Sequence, residues 1–264
     1  MNIFLRELKA NRRALIIWCA CMILTVLSGM AKYTAYSSGG ANSRVFSELP
    51  KSVKALLGMG NLDVTTIAGF FALLFLYLAI AVAIHAAILG SGILAKEERD
   101  KTTEFLIVKP VSRTAVVTAK LMAALVNIVV LNAVTLVSSI FMVKAYNKGE
   151  DLTGEVAVFF LSLFLIQLIF LSLGALLAAL MKKPKGAGST AAGVVVGAYI
   201  ISEITSVNDR LNALNVLSPF KYFSYDRIIA GNGLDPVIAA LSVLLTGVFI
   251  LSACFFYRKR DLNV

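Results

Sequence analysis

Six long apolar segments make up most of this chain, and they restrict its fold more than any other feature. They cover residues 14–31, 66–95, 114–143, 156–181, 187–205 and 236–257. A helix needs about 20 mainly apolar residues to cross the hydrocarbon core of a bilayer. The pattern therefore predicts an all-α membrane protein with six transmembrane helices, called spans 1 to 6 below. Span 5 is the least distinct of them, because it is short and rich in glycine.

The overall composition agrees with a membrane protein. The chain is 59% hydrophobic and 15% charged, with a mean hydropathy of +0.85, whereas a soluble domain is about half apolar and about a quarter charged. The 264 residues suffice for six spans and short loops but leave no room for a separate soluble domain. We therefore expect residues 1–264 to form a single transmembrane domain.

Basic residues concentrate at one end of the predicted bundle, which comprises residues 1–13, 96–113, 182–186 and 258–264 together with Lys120. This end holds sixteen basic and six acidic residues. The opposite end holds nine of each, in residues 32–65, 144–155 and 203–235. Because membrane proteins retain Lys and Arg in the cytoplasm, both termini are predicted to be cytoplasmic. The net charge of +10 then reflects membrane topology and requires no nucleic acid partner.

Residues 1–13 are predicted to form an interfacial amphipathic helix before span 1. Apolar residues face basic ones at helical spacing: Phe4, Leu5 and Leu8 against Arg6, Lys9 and Arg13. A frayed basic tail that only sets the topology is the alternative. A cleaved signal peptide is a further alternative for residues 1–31, because small residues near Gly29 are typical of a cleavage site. Their apolar stretch is, however, longer than the usual 7–15 residues or so.

No catalytic or nucleotide-binding motif is recognisable in the sequence. His85 is the single histidine, so a zinc-protease histidine pair is excluded. Glu97 and Glu98 are similar to the paired glutamates of intramembrane CAAX proteases, but Thr102 stands where those enzymes have arginine. There is neither a G-x-S-x-G motif nor a P-loop. We therefore expect no catalytic residues, no metal site and no cofactor bound by this chain.

Five polar residues lie within the apolar segments and are candidates for lining a pathway through the membrane: His85, Asn127, Asn132, Gln167 and Glu203. Polar groups in hydrocarbon are costly unless they are paired or face water. Hydrogen bonding between helices is the alternative interpretation. In span 5, Gly193 and Gly197 form a GxxxG step that indicates close packing against an unidentified helix.

The segment before span 6 is rich in aromatic residues: Phe220, Tyr222, Phe223 and Tyr225. Such residues are typical of an anchoring belt at the membrane interface, and an outer gate near a substrate exit is the alternative. Asp235 and Pro236 then predict a cap and a first turn for span 6.

Residues 96–113, between spans 2 and 3, combine many charges with the apolar run Phe105–Val108. This run is too short to cross a membrane, and an exposed apolar patch in the cytosol would be adhesive. We therefore predict a short cytoplasmic helix that docks on a partner and ends near Pro110. A helix packed against the underside of its own bundle is the alternative.

The stretch KEERDKTTEFLIVKPVSRTAVVTAK resembles the loop between spans 2 and 3 of permease subunits of ABC-2 type transporters. The matching positions are Glu98, Thr103, Leu106, Pro110, Ser112, Arg113 and Lys120. The resemblance extends to the basic N-terminus, the six spans, the SPFKYF segment and the basic YRKRDL end. The family often has Gly-Thr where this chain has Thr102-Thr103, so this turn is expected to differ.

The resemblance implies an ABC-2, type V exporter-like fold in which residues 96–113 contain a coupling helix. This helix would dock on a separate ABC ATPase that binds ATP and Mg. Polar contacts would come from Glu97, Glu98, Arg99 and Glu104, and Phe105 and Leu106 would be apolar anchors; Thr103, Pro110 and Arg113 complete the set.

The resemblance further implies a multi-pass protein of the bacterial plasma membrane, surrounded by lipid and working with a second permease copy as a homo- or heterodimer. A hydrophobic or amphipathic cargo, such as an antimicrobial peptide, drug or lipid, is expected. Sodium efflux, peptide resistance or sensing without flux, and an intramembrane protease are the alternatives.

Overall fold

The computed structural model describes residues 3–37, 62–102, 112–147, 151–181, 186–207, 209–223 and 225–259, and the single residues 50, 53 and 149. Within this part, six helices are long and apolar enough to cross a membrane: Ile3–Ala31, Ile67–Arg99, Arg113–Tyr146, Thr153–Leu180, Ala187–Val207 and Pro236–Lys259. These helices are spans 1 to 6. Tyr33–Tyr36 and Tyr225–Ile229 form short helices, and Asp209–Leu217 and Pro219–Lys221 form 3₁₀ helices. The predicted all-α fold with six spans is confirmed.

Several spans extend beyond their apolar segments into charged sequence. Span 2 continues to Arg99, and span 1 begins at Ile3. Residues 3–13 are helical as predicted, but they form one uninterrupted helix with span 1 and no separate interfacial helix. No proline or glycine occurs between Ile3 and Leu27 to interrupt the helix. Phe4 and Leu8 pack against the core, whereas Leu5 is 60% exposed.

Side-chain caps define where three of the spans begin. Thr66 accepts a hydrogen bond from the Gly69 amide at 3.1 Å, before span 2. Ser112 accepts one from the Ala115 amide at 3.2 Å, before span 3. Asp235 accepts one from the Val237 amide at 2.9 Å, so the predicted cap of span 6 is confirmed. Each cap satisfies an amide that the first helical turn leaves unpaired.

Spans 2 and 4 form the centre of the bundle. In the most apolar part of each, 67% of the residues are buried, against 17% for spans 1 and 6. Span 1 packs along span 3, span 5 along span 2, and span 6 along span 4. The exposed surface of the outer spans is largely Leu, Ile, Val and Phe, which suits contact with lipid.

Two glycines bring spans 2 and 4 into backbone contact. A Cβ atom at Gly90 would lie 2.1 Å from the Leu171 carbonyl oxygen. A Cβ atom at Gly174 would lie 2.3 Å from the Ala87 carbonyl oxygen. Each helix therefore uses a glycine to accommodate the backbone of the other, as small residues do in membrane helix packing.

Gly193 and Gly197 of span 5 differ from this pair. No described atom of another segment lies within 4 Å of a Cβ built at either glycine. Among the described residues, backbone contact of this kind is found between spans 2 and 4. Packing of the span 5 glycines against another helix stays a prediction.

Candidate functional site at the basic end

Span 2 ends in a left-handed turn just before residues 103–111. Lys101 has a φ of 54°. The Thr102 amide donates to the Glu97 carbonyl oxygen at 2.8 Å, and the Lys101 amide donates to that of Glu98 at 3.4 Å. This is the hydrogen-bond pattern of a Schellman C-cap, here without the usual glycine. It fixes the direction in which the chain leaves span 2.

Glu97 is the centre of an ion network at this end of the bundle. It is 5% exposed. Arg6 at the start of span 1 donates to its Oε1 at 2.9 Å, and Lys120 of span 3 donates to its Oε2. Lys120 is fully buried and also donates to the Ile93 carbonyl oxygen at 2.6 Å. One carboxylate therefore joins the basic-end segments of spans 1, 2 and 3.

A second buried carboxylate extends the network. Glu7 has no exposed surface. It pairs with Lys96 at 3.2 Å through Oε2 and with Arg6 at 3.2 Å through Oε1. Removing one partner of a buried pair leaves a desolvated charge and costs about 3–5 kcal/mol. The network of Arg6, Glu7, Lys96, Glu97 and Lys120, called the basic-end network below, therefore constrains how these helix ends can move.

Other predicted coupling residues lie around this network. Arg99 is exposed and pairs with Asp100 at 3.1 Å, and Glu98 is half-buried. Arg113 donates to the Arg258 carbonyl oxygen at 3.1 Å and so links span 3 to the end of span 6. The remaining coupling residues lie outside the described part of the chain: Thr103, Glu104, Phe105, Leu106 and Pro110. The predicted coupling helix itself also lies there.

Glu97 thus has a position that its sequence pattern did not indicate. Its carboxylate points into the bundle, whereas the sequence interpretation directed it to an ATPase. The sequence marked Lys120 as a basic residue of this end and as a match to the family pattern, but it linked neither Lys120 nor Arg6, Glu7 or Lys96 to Glu97. The sequence did contain one usable signal for this network. Lys120 lies seven residues inside span 3, at the same end of the bundle as the adjacent Glu97 and Glu98 at the end of span 2.

The polar residues in the middle of the spans make contacts between and within helices. Asn132 of span 3 donates to Gln167 Oε1 of span 4 at 2.9 Å, whereas Asn127 donates to the Ala123 carbonyl oxygen of its own helix at 2.7 Å. His85 is 6% exposed, and its ring lies 4.8 Å from that of Trp18.

Asn132 additionally lines an apolar groove of about 390 Å³ between spans 3 and 4. Glu203 lies near the C-terminal end of span 5 (Ala187–Val207), away from the basic end of the bundle. Pathway lining by these residues remains a prediction.

The family comparison covers nearly the whole chain. The sequence matches the family described as ABC-2 family transporter protein over residues 1–262. The chain belongs to the ABC-2 transporter family. A search of the curated proteins found no match. ABC-2 permeases are multi-pass membrane subunits, generally not catalytic, and they typically work with an ABC ATPase. The basic-end network of this ABC-2 permease therefore surrounds the base of the loop that resembles the family's coupling loop.

Proposed function

We propose that this chain is the permease subunit of a bacterial ATP-driven exporter, moved by a separate ABC ATPase that docks on residues 96–113. The observation that carries the proposal is the basic-end network. It joins the last turn of span 2, where the loop begins, to Lys120, two turns after the loop ends, and to the start of span 1. A force on the loop is therefore passed to three helices.

This arrangement suits rigid-body coupling. Buried ion pairs and the capped start of span 3 hold both ends of the loop on the bundle. Closure of an ATPase dimer would then displace the ends of spans 1, 2 and 3 together, as in other transitions driven by rigid-body motion. Arg99 and Glu98 lie at the edge of this assembly and are proposed to contact the ATPase. Glu97 is proposed to support the loop from within.

The charge distribution supports the proposed orientation. Sixteen of the 25 basic residues belong to the end that bears the loop. The positive-inside rule places this end in the cytoplasm, on the same side as ATP and the ATPase. Both termini are then cytoplasmic, in the bacterial plasma membrane. A second permease copy, identical or homologous, is proposed to complete the transporter.

The apolar grooves on the surface of the bundle support a hydrophobic or amphipathic cargo. The grooves beside span 3 are apolar, and that between spans 3 and 4 offers the single amide of Asn132 among its described lining residues. A molecule with a long apolar part and few polar groups would match such a surface.

The test changes one apolar residue of the loop. Phe105→Asp is expected to leave membrane insertion intact but to abolish co-purification of ABC ATPase with the affinity-tagged permease from native membranes. Leu5→Asp is the matched control, because it introduces the same charge at an exposed site of the same end. Unchanged recovery of ATPase by Phe105→Asp, measured by mass spectrometry, would refute docking through this loop.

A further inference from the structure

The outward face of span 1 carries both cations and apolar side chains. Its exposed residues recur at helical spacing and form one stripe: Leu5, Lys9, Arg12, Arg13, Ile16, Ile17, Ala20 and Leu24. Residues three and four positions apart are neighbours on a helix surface. Three positive charges therefore lie directly beside an apolar surface that the rest of the described chain leaves uncovered.

The charged residues of span 1 are separated by face. Arg6 and Glu7 turn toward the bundle and form ion pairs of the basic-end network. Lys9, Arg12 and Arg13 are exposed and form no hydrogen bond or ion pair with the described part of the chain. Glu7 is the single acidic residue of the helix and is fully buried. No carboxylate of span 1 therefore neutralises the three outward cations.

The three cations are close enough to act on one anion. Lys9 precedes Arg12 by three residues and Arg13 by four, which places its Cβ about 5–6 Å from each of theirs. Guanidinium groups bind phosphate oxygens through paired hydrogen bonds, and an ammonium adds a compact positive charge. The positive-inside rule requires basic residues at this end of the protein, but it does not require them on one face of one helix.

The position of the cations along the helix favours a lipid as the source of the anion. Arg13 is the last charged residue before the apolar segment, and Lys32 is the next. Arg13 therefore lies where head groups meet hydrocarbon. Ile16 and Ile17, one turn farther into the membrane, are 64% and 63% exposed. A free phosphate ion would use the cations alone, whereas a phospholipid would also cover the isoleucines.

We propose that Lys9, Arg12 and Arg13 bind the phosphate group of an anionic phospholipid, with its acyl chains along Ile16 and Ile17. A zwitterionic lipid brings its own ammonium group, so the cluster favours a lipid with net negative charge. The site depends on neither the ATPase nor the cargo.

Such a lipid would anchor the same helix end that the basic-end network holds from within. Arg13 lies seven residues from Arg6, which is about 10 Å along the helix. Arg6 in turn donates to Glu97 Oε1 at 2.9 Å. A bound head group would therefore fix span 1 at the membrane surface close to its contact with span 2.

The test is native mass spectrometry of the purified full-length permease in detergent, titrated with dioleoylphosphatidylglycerol or dioleoylphosphatidylcholine. The two lipids share their acyl chains and differ in net charge. The wild type is expected to bind the first phosphatidylglycerol about tenfold more tightly than the first phosphatidylcholine. Arg12→Gln/Arg13→Gln should remove this preference, and Arg12→Lys/Arg13→Lys, which keeps both charges, should retain most of it.

Two controls separate the site from net charge and from folding. Lys32→Gln/Lys144→Gln removes two exposed positive charges at the opposite end of the bundle and should keep the preference. Without phosphatidylglycerol, Arg12→Gln/Arg13→Gln should unfold at the wild-type temperature, because these side chains are then solvated. Added phosphatidylglycerol should raise the unfolding midpoint of the wild type more than that of the variant, since it binds the folded wild type more tightly.

An equal preference for phosphatidylglycerol in the wild type and in Arg12→Gln/Arg13→Gln would overturn the site. Its loss in Lys32→Gln/Lys144→Gln as well would ascribe it to net charge. Displacement of the lipid by millimolar glycerol 3-phosphate would replace the lipid with a free anion. Phosphatidylglycerol on the monomer but not on a dimer would assign this face to a second copy of the chain. The outcome of the Phe105→Asp experiment affects none of these results.

Discussion

At the scale of single residues, Lys120 illustrates how burial makes a charge important for the stability of the fold. Its ammonium has no exposed surface and is held by Glu97 and by the Ile93 carbonyl oxygen. The attraction within such a pair roughly offsets the cost of removing both charges from water, but a lone partner bears that cost without compensation.

Lys120→Met is therefore expected to destabilise the protein by about 3 kcal/mol, since Glu97 keeps only part of its compensation through Arg6. Lys9→Met makes the same chemical change at an exposed position and should have little effect. The measurement is the free energy of unfolding in mixed micelles. Equal stability of the two variants would show that the ion pair is not sustained in the folded protein.

Lys101 gives a second prediction at this scale, because its left-handed backbone suits glycine better than any L-residue. Lys101→Gly should stabilise the protein by about 1 kcal/mol. Lys101→Ala removes the same charge without relieving the backbone, and it should give no gain. Thermal unfolding of the three proteins compares them directly, and a gain in the alanine variant would attribute the effect to charge.

At the scale of helices, the contact between spans 2 and 4 depends on two glycines that face each other's backbone. The sequence alone could not identify them, because isolated glycines in apolar helices occur for many reasons and the pairing of spans is a tertiary property. The GxxxG step of span 5 is the more conspicuous pattern, yet it meets open space in the described chain.

Gly90→Ala is expected to cost about 3 kcal/mol, because its methyl group would overlap the Leu171 carbonyl oxygen and force the helices apart. Gly92→Ala, on the same helix, meets no described atom within 4 Å and should gain up to about 1 kcal/mol from helix propensity. Opposite signs in the shift of the unfolding midpoint are the expected outcome. A tolerated Gly90→Ala would contradict the close contact.

The spans themselves were predictable because length and hydropathy are local properties. Their limits were less so: Lys96 to Arg99 are helical because charged residues with good helix propensity continue an apolar helix without a break. The same limitation explains why the basic-end network was not foreseen. It joins residues 91 and 23 positions apart in the sequence, and only the packing of three helices brings them together.

At the scale of the whole molecule, the orientation in the membrane follows from charge and can be measured directly. In a background without Cys19, Cys21 and Cys254, a cysteine at Gly149 is expected to react with a membrane-impermeant maleimide in intact cells. A cysteine at Arg99 should react only after the cells are permeabilised. Both positions are exposed, so access depends on the side of the membrane. The reverse pattern would invert the topology and remove the ATPase from reach of the loop.

The contact at Gly90 and Gly174 also limits which motions this bundle can make. Sliding span 2 along span 4 by one turn, about 5.4 Å, would put Ala86 or Leu94 in the place of Gly90, where even a methyl group does not fit. The two central helices consequently travel as one body. Any opening or closing of the bundle therefore has to come from movement of spans 1, 3, 5 and 6 around this central pair.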